Sequence, residues 1–175
     1  MPSDDAARAP SAPDPDAILE ALERRLEQTA PPEAERERVP YLGFYLGTEV
    51  YGLPLQQLRE VARLVRLRHI PGTPPAIAGL VNLRGKIVCA LDARAILGVS
   101  TPGPAAAGFL VALRGFPDPL GLVVDSIADV YSIDPAQIEP PPVTWPAKRA
   151  AFFVGTARVA EGLMGLLNLD RVVVI

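Results

Sequence analysis

From Tyr41 onward, apolar residues come in short runs of β type separated by Gly and Pro. Tyr41–Leu46 and Val50–Leu55 flank Gly47-Thr48-Glu49, the pattern of a hairpin. Leu64–Ile70 reads as a strand, stopped by Pro71-Gly72-Thr73-Pro74-Pro75. Lys86–Leu91 reads as another, entered through a turn at Arg84-Gly85. Asp92 is placed to cap a short helix that runs through Leu97 and ends at Gly98. Residues 99–108 are small and rich in Pro and Gly, as in a linker. Beyond it, Phe109–Leu113 and Leu120–Val124 flank a turn containing Gly115, Pro117 and Pro119. Upstream the period changes. Ile18, Leu22 and Leu26 recur every four residues, which predicts a helix near 16–28 with Asp14 or Asp16 as its cap. Such a helix either frays within the tail or docks on the body or a partner.

The second half repeats the first. Gly52-Leu53-Pro54-Leu55-Gln56-Gln57-Leu58-Arg59-Glu60-Val61 aligns without a gap on Gly121-Leu122-Val123-Val124-Asp125-Ser126-Ile127-Ala128-Asp129-Val130. Ile77-Ala78-Gly79, Gly85 and Leu91-Asp92 parallel Phe153-Val154-Gly155, Gly162 and Leu169-Asp170. A unit of about 70 residues present twice is too long and too few for a solenoid. The economical architecture is mainly β: two similar lobes, about 41–98 and 109–175, each a partly closed barrel, since closure removes exposed strand edges.

Composition narrows the function. The 175 residues are 49% hydrophobic, enough for a packed interior. Residues 1–40 hold ten acids against five arginines, so this Pro/Ala-rich extension carries a net −5 while the whole chain carries −3. The body is left at about +2, with no concentrated run of Lys and Arg, which argues against nucleic acid as a partner. No apolar run approaches the roughly 20 residues that span a bilayer, and no signal-peptide core opens the chain. With one cysteine there is no internal disulfide. These features lead to the expectation of a cytoplasmic protein that does not insert into a membrane.

Catalytic chemistry finds little support. Two β-lobes with carboxylates raise the idea of an aspartic protease, which needs paired Asp-Thr/Ser-Gly loops. Here Asp125-Ser126-Ile127 and Asp92-Ala93-Arg94 put Ile and Arg where glycine is required. His69 is the only histidine, too few for a triad or a zinc site. Cys89 alternates with apolar neighbours like a small core residue, and no Gly-rich phosphate cradle is visible. The expectation is therefore a non-enzyme with no cofactor and no metal. The segment that stands out is Gly79-Leu80-Val81-Asn82-Leu83-Arg84-Gly85, which sets a five-donor guanidinium at the mouth of a turn. Arg84 either reaches a partner or pairs with Glu60 or Asp92 within the lobe. Gly79, lacking Cβ, admits the close approach of another backbone.

Taken in order, several stretches resemble the CheW family over roughly residues 41–172. They are Phe44-Tyr45-Leu46-Gly47, Tyr51-Gly52-Leu53-Pro54-Leu55, Leu58-Arg59-Glu60-Val61, Ile70-Pro71-Gly72-Thr73-Pro74 and Ile77 through Val88 with its Asn-Leu-Arg-Gly. Gly121 through Asp125, Ile138-Glu139-Pro140-Pro141-Pro142 and Leu166 through Arg171 complete the set. The resemblance implies two five-stranded SH3-like barrels that share a hydrophobic core. It implies an adaptor linking the cytoplasmic tip of methyl-accepting chemotaxis receptors to the regulatory domain of a CheA-type histidine kinase, at membrane-bound receptor arrays. Carried over by motif, the receptor groove takes Leu58, Glu60, Val61, Gly79, Asn82 and Arg84 from lobe one, with Val124 and Val130 from lobe two. Arg84 supplies the polar contact and the aliphatic residues supply apolar area. Asp92-Ala93-Arg94 departs from the family's more usual Asp-Leu-Arg, and the acidic extension is longer than in minimal members. The rival reading is a two-lobed β-barrel module that binds peptides or single-stranded nucleic acid; the latter requires exposed aromatics among basic residues.

Overall fold

The computed structural model of the chain describes residues 15–27, 38–100 and 108–174. Most of the expected linker, Asp14 as a cap and the side chain of Leu26 lie outside the described part. The chain divides into two units, residues 1–30 and 31–175. The first contains helix α1, Pro15–Glu27, close to the range that the four-residue spacing predicts, with an exposed Arg24–Glu20 pair one turn apart at 3.1 Å.

All strands among the described residues belong to the second unit. In chain order they are β1 (Val39–Leu46), β2 (Glu49–Pro54), β3 (Leu58–Arg63), β4 (Leu67–Arg68), β5 (Ile77–Leu83), β6 (Lys86–Asp92), β7 (Phe109–Leu113), β8 (Leu120–Val124), β9 (Ser126–Ile133), β10 (Phe153–Val159) and β11 (Gly162–Leu167). Helices α2 (Ala93–Leu97), α3 (Ala147–Ala150) and α4 (Leu169–Val172) are short. The stretch read as a strand over Leu64–Ile70 pairs only at β4, because Leu64 is already buried against the core cluster and the following residues turn outward. The strand period instead starts earlier, at Leu58.

The fold is mainly β, and the duplication is visible in its topology. One sheet runs β10-β11-β2-β1-β9; the other runs β4-β5-β6-β8-β7-β3. Each repeat thus donates its first hairpin, β1–β2 or β7–β8, to the sheet built by the other repeat. The guest hairpins join through parallel contacts, β11 with β2 and β6 with β8. Both lobes therefore draw strands from both halves of the chain. The donated strands are covered on both faces: β7 is buried throughout, and Leu42, Phe44 and Leu46 of β1 are fully buried. β1 also packs against β8, so the two lobes share an interior, as the resemblance implies.

The sheets are not closed barrels, and one has six strands rather than five. Closure would need a ladder between β9 and β10, and another between β3 and β5. At the first seam stands only the bridge Glu139–Thr156; at the second stands only the two-residue β4. The two seams are equivalent in detail. β5 and β10 each carry a bulge, ending at Gly79 and Gly155, and each glycine backs onto a carbonyl of the seam segment, Arg68 or Glu139.

Candidate docking surface

The Asn82-Leu83-Arg84-Gly85 segment forms the turn between β5 and β6. Arg84 and Gly85 have φ of +50° and +82°, the two successive left-handed residues of a two-residue hairpin loop. Arg84 is the only non-glycine with positive φ among the described residues. Asn82 holds this conformation, its Oδ1 accepting the Gly85 N–H at 2.9 Å. The strained residue stands on a stiff hairpin and points its side chain, 75% exposed, outward.

Its Nε lies 3.0 Å from Glu60 Oε2 on β3. β3 and β5 are at opposite sides of their sheet, so the pair forms because the sheet curls on itself. Beneath it is a cavity of about 170 Å³ with Leu83, Val88, Leu113 and Leu120 in its wall and Arg59 and Arg84 at its rim. Exposed ion pairs contribute only about 0–1 kcal/mol, so this one holds a side-chain direction more than it holds the fold. Of the two internal partners considered for Arg84, Glu60 is the one used. Asp92 instead caps α2, accepting the N–H groups of Arg94 at 2.9 Å and Ala95 at 3.2 Å.

The remaining expected site residues divide. Leu58 is buried at the start of β3 opposite Leu113, and Val61 is half-buried opposite Val111. Val130 is half-buried on β9 of the other sheet, opposite Leu42. Two residues do not serve as expected. Val124 is 1% exposed and belongs to the interior, so it offers no apolar area to a partner. Gly79 is buried with φ +147°, and a Cβ there would overlap the Arg68 carbonyl oxygen; the close backbone is the chain's own β4. One surface residue was missed. Ile87 is 56% exposed and lies opposite Asn82, on the same face of the hairpin. The alternation of Lys86-Ile87-Val88-Cys89 carried that signal, since Val88 points inward.

One further polar cluster is engaged in structure. Trp145 packs on Phe153 with ring centroids 4.7 Å apart, and the Arg149 guanidinium lies 4.9 Å over the indole. Arg149 also reaches Glu49 at 2.7 Å and the Tyr51 hydroxyl at 2.8 Å, while that hydroxyl donates to Glu49. Burial, reinforced by the Glu49 carboxylate, pushes the Tyr51 phenol well above its ordinary range. Burial also raises the Cys89 thiol, which makes it a poor nucleophile. Among the described residues, no group of three His, Cys, Asp or Glu side chains is placed to hold a metal ion. No described helix is long and apolar enough to cross a membrane.

Comparison with known proteins places the chain in a family. The profile of the CheW-like domain matches residues 40–174. Chemotaxis protein CheW of Klebsiella aerogenes is 28% identical over 131 residues, covering 75% of this chain and 79% of that protein. Protein FrzA of Myxococcus xanthus is 28% identical over 155 residues, covering 86% and 92%. The crystal structure of the scaffolding protein TtCheW from Thermoanaerobacter tengcongensis matches with a TM-score of 0.71 at 28% identity, over 85% of this chain and 93% of that one. With three quarters of its length matched by that profile, the chain belongs to the CheW family.

Proposed function

We propose that this protein is a non-catalytic adaptor that couples the cytoplasmic tips of methyl-accepting chemotaxis receptors to a CheA-type histidine kinase, within receptor arrays on the cytoplasmic side of the membrane. One observation carries the reading: an arginine held by a strained turn above a small apolar-walled cavity, with a half-neutralising Glu60 beside it. That arrangement suits recognition. A guanidinium fixed in direction loses little entropy on meeting a partner carboxylate, and the cavity accepts an aliphatic side chain next to it. Glu60 keeps Arg84 extended until the partner's acid competes for it. Val61 adds half-buried apolar surface on β3 beside Glu60, and Val130 adds more on the other sheet. The kinase regulatory domain is expected on lobe one.

An adaptor acts through binding energy alone. A standard interface covers about 800 Å² on each partner, and a few anchors dominate its affinity. Holding receptor and kinase on one small protein raises their effective concentration, so modest contacts sustain an assembly. The rival of a single-stranded nucleic-acid module is disfavoured by Trp145, whose ring lies between Phe153 and Arg149 rather than open to a base. Titration of receptor-tip peptide hairpins onto the wild type and Arg84→Glu tests the reading. The substitution is expected to weaken binding by about 2 kcal/mol or more with the fold intact. Equal affinity for both proteins would refute the assignment.

A further inference from the structure

The two motifs that fail as a catalytic pair, Asp92-Ala93-Arg94 and Asp125-Ser126-Ile127, meet in the structure. Asp125 is the single residue between β8, in the six-stranded sheet, and β9, in the five-stranded sheet. Its N–H donates to the Tyr45 carbonyl at 3.1 Å, and its Oδ2 accepts the Gly47 N–H at 2.7 Å. Both contacts are to the β1–β2 hairpin of the five-stranded sheet. Its other oxygen, Oδ1, receives the guanidinium of Arg94. Arg94 sits on α2, which packs on β6 and β8 of the six-stranded sheet. One carboxylate thus ties the hairpin of one sheet to the helix of the other at the point where the chain changes sheets. The side chains are 17% and 21% exposed, covered enough for the pairing to resist screening.

Among the described residues, the opposite crossing has no such tie. By the sheet pairings, Gly121 and Ala90 stand in register in one lobe as Gly52 and Leu166 do in the other. Counting outward, Asp125 corresponds to Gln56 and Arg94 to Asp170, a neutral amide and an acid that form no ion pair. There the chain passes from β2 to β3 through a short 3-10 turn, Leu55–Gln57, with Gln56 exposed. The duplicated fold is therefore pinned at one crossing.

We infer that the Arg94–Asp125 pair fixes the angle between the two sheets, and that Asp125 is a positioning residue for the docking surface. The inference rests on the proposed function, because that surface has Glu60 and Arg84 on one sheet and Val130 on the other. A looser crossing leaves a smaller fraction of molecules with both sides correctly spaced. Apparent affinity falls in proportion to that fraction.

The full-length chain supplies its own reporter. Trp145, the only tryptophan, packs against Phe153 of β10. An acceptor dye on Ile87→Cys, in a Cys89→Ala background, marks the other sheet on an outward, 56% exposed position. Time-resolved energy transfer is measured for the wild type, Asp125→Asn, Arg94→Gln and Arg94→Lys, and receptor-tip affinity is measured for the unlabelled forms of these proteins, with Ile87 and Cys89 intact, and for Arg84→Glu. Asp125→Asn keeps an acceptor for Gly47 but loses the ion pair. Its distance distribution is expected to broaden and its affinity to fall about tenfold, as when a tenth of the molecules stay competent. Arg94→Lys restores most of both. Should Asp125→Asn not fold, Arg94→Gln carries the same expectation with the Gly47 contact intact. An unbroadened distribution, or broadening with full affinity, overturns the inference. Full affinity in Arg84→Glu sinks the docking assignment instead, and the energy-transfer result still decides whether the pin exists.

Discussion

Gly79→Ala separates a glycine kept for a partner from one kept for the fold. At φ +147° an L-residue is strained, and such conformations cost about 1–3 kcal/mol. The added methyl would also overlap the Arg68 carbonyl oxygen, so β4 must move away from β5. That disturbs the Leu67–Val81 and Arg68–Leu80 pairing, where each hydrogen bond is worth about 0.5–1.5 kcal/mol net. The expected loss is about 2–4 kcal/mol. With a urea slope of about 2 kcal/mol per molar, the unfolding midpoint drops by about 1–2 M. Gly155→Ala is the internal control. Its Cβ would come within 2.6 Å of the Glu139 carbonyl oxygen, but its φ is not in the left-handed region, so a smaller loss is expected. An unchanged midpoint for Gly79→Ala, together with lost receptor binding, would refute the reasoning and return this glycine to the partner's side.

Arg84→Glu should move the unfolding midpoint little, by about 0.5 kcal/mol or less, because Arg84 is 75% exposed; a large drop would make its role structural. Arg149→Ala should cost about 1–3 kcal/mol and shift Trp145 emission to longer wavelength, since the indole loses its cover; unchanged emission would contradict the packing. Tyr51→Phe removes the hydroxyl shared by Glu49 and Arg149 and should cost about 1–3 kcal/mol by the same assay. The Tyr51 phenol also sets a pH window. Its folded-state pKa is raised above the ordinary 10.0, so its contribution is fully present below pH 10 and is lost as pH climbs beyond it; Tyr51→Phe should flatten that alkaline decline, as followed by circular dichroism.

Local features were legible wherever one residue type does one job. Asp92 and Gly98 mark the ends of α2, the first as an N-cap and the second as a left-handed C-cap with φ +66°. Phe109–Leu113 and Leu120–Val124 are the strands the apolar runs predict. The duplication read from Gly52–Val61 and Gly121–Val130 is carried by the sheets themselves. What alternation could not reveal is which strand a strand pairs with. Periodicity sets the faces of β1 and β2 but says nothing of β9 and β11 as their neighbours, so the exchange of hairpins appears only in three dimensions. The later repeat register also slips: Asp92 and Asn168 are the matching caps, not Asp92 and Asp170, because the β10–β11 hairpin is followed sooner by its helix.

The docking surface was legible in part for the same reason. Asn82, Arg84 and Gly85 announce a turn by type, and their contacts follow locally. Glu60 was one of two nearby acids, and only the curl of the sheet selects it. Val124 looked like Val130 in the chain, yet the donated hairpin buries one and leaves the other half-open. The Arg94–Asp125 pair joins residues 31 positions apart across two sheets, beyond the reach of any spacing rule.

On the proposed function, the Arg84 surface takes the receptor tip, lobe one also takes the kinase regulatory domain, and the protein bridges the two. The direct measurement immobilises receptor tips and follows capture of the CheA-type regulatory domain by surface plasmon resonance, with this protein supplied or withheld. The bridging role predicts capture only when the protein is present, and its loss with Arg84→Glu. Capture that ignores the protein, or persists undiminished with the variant, would contradict it.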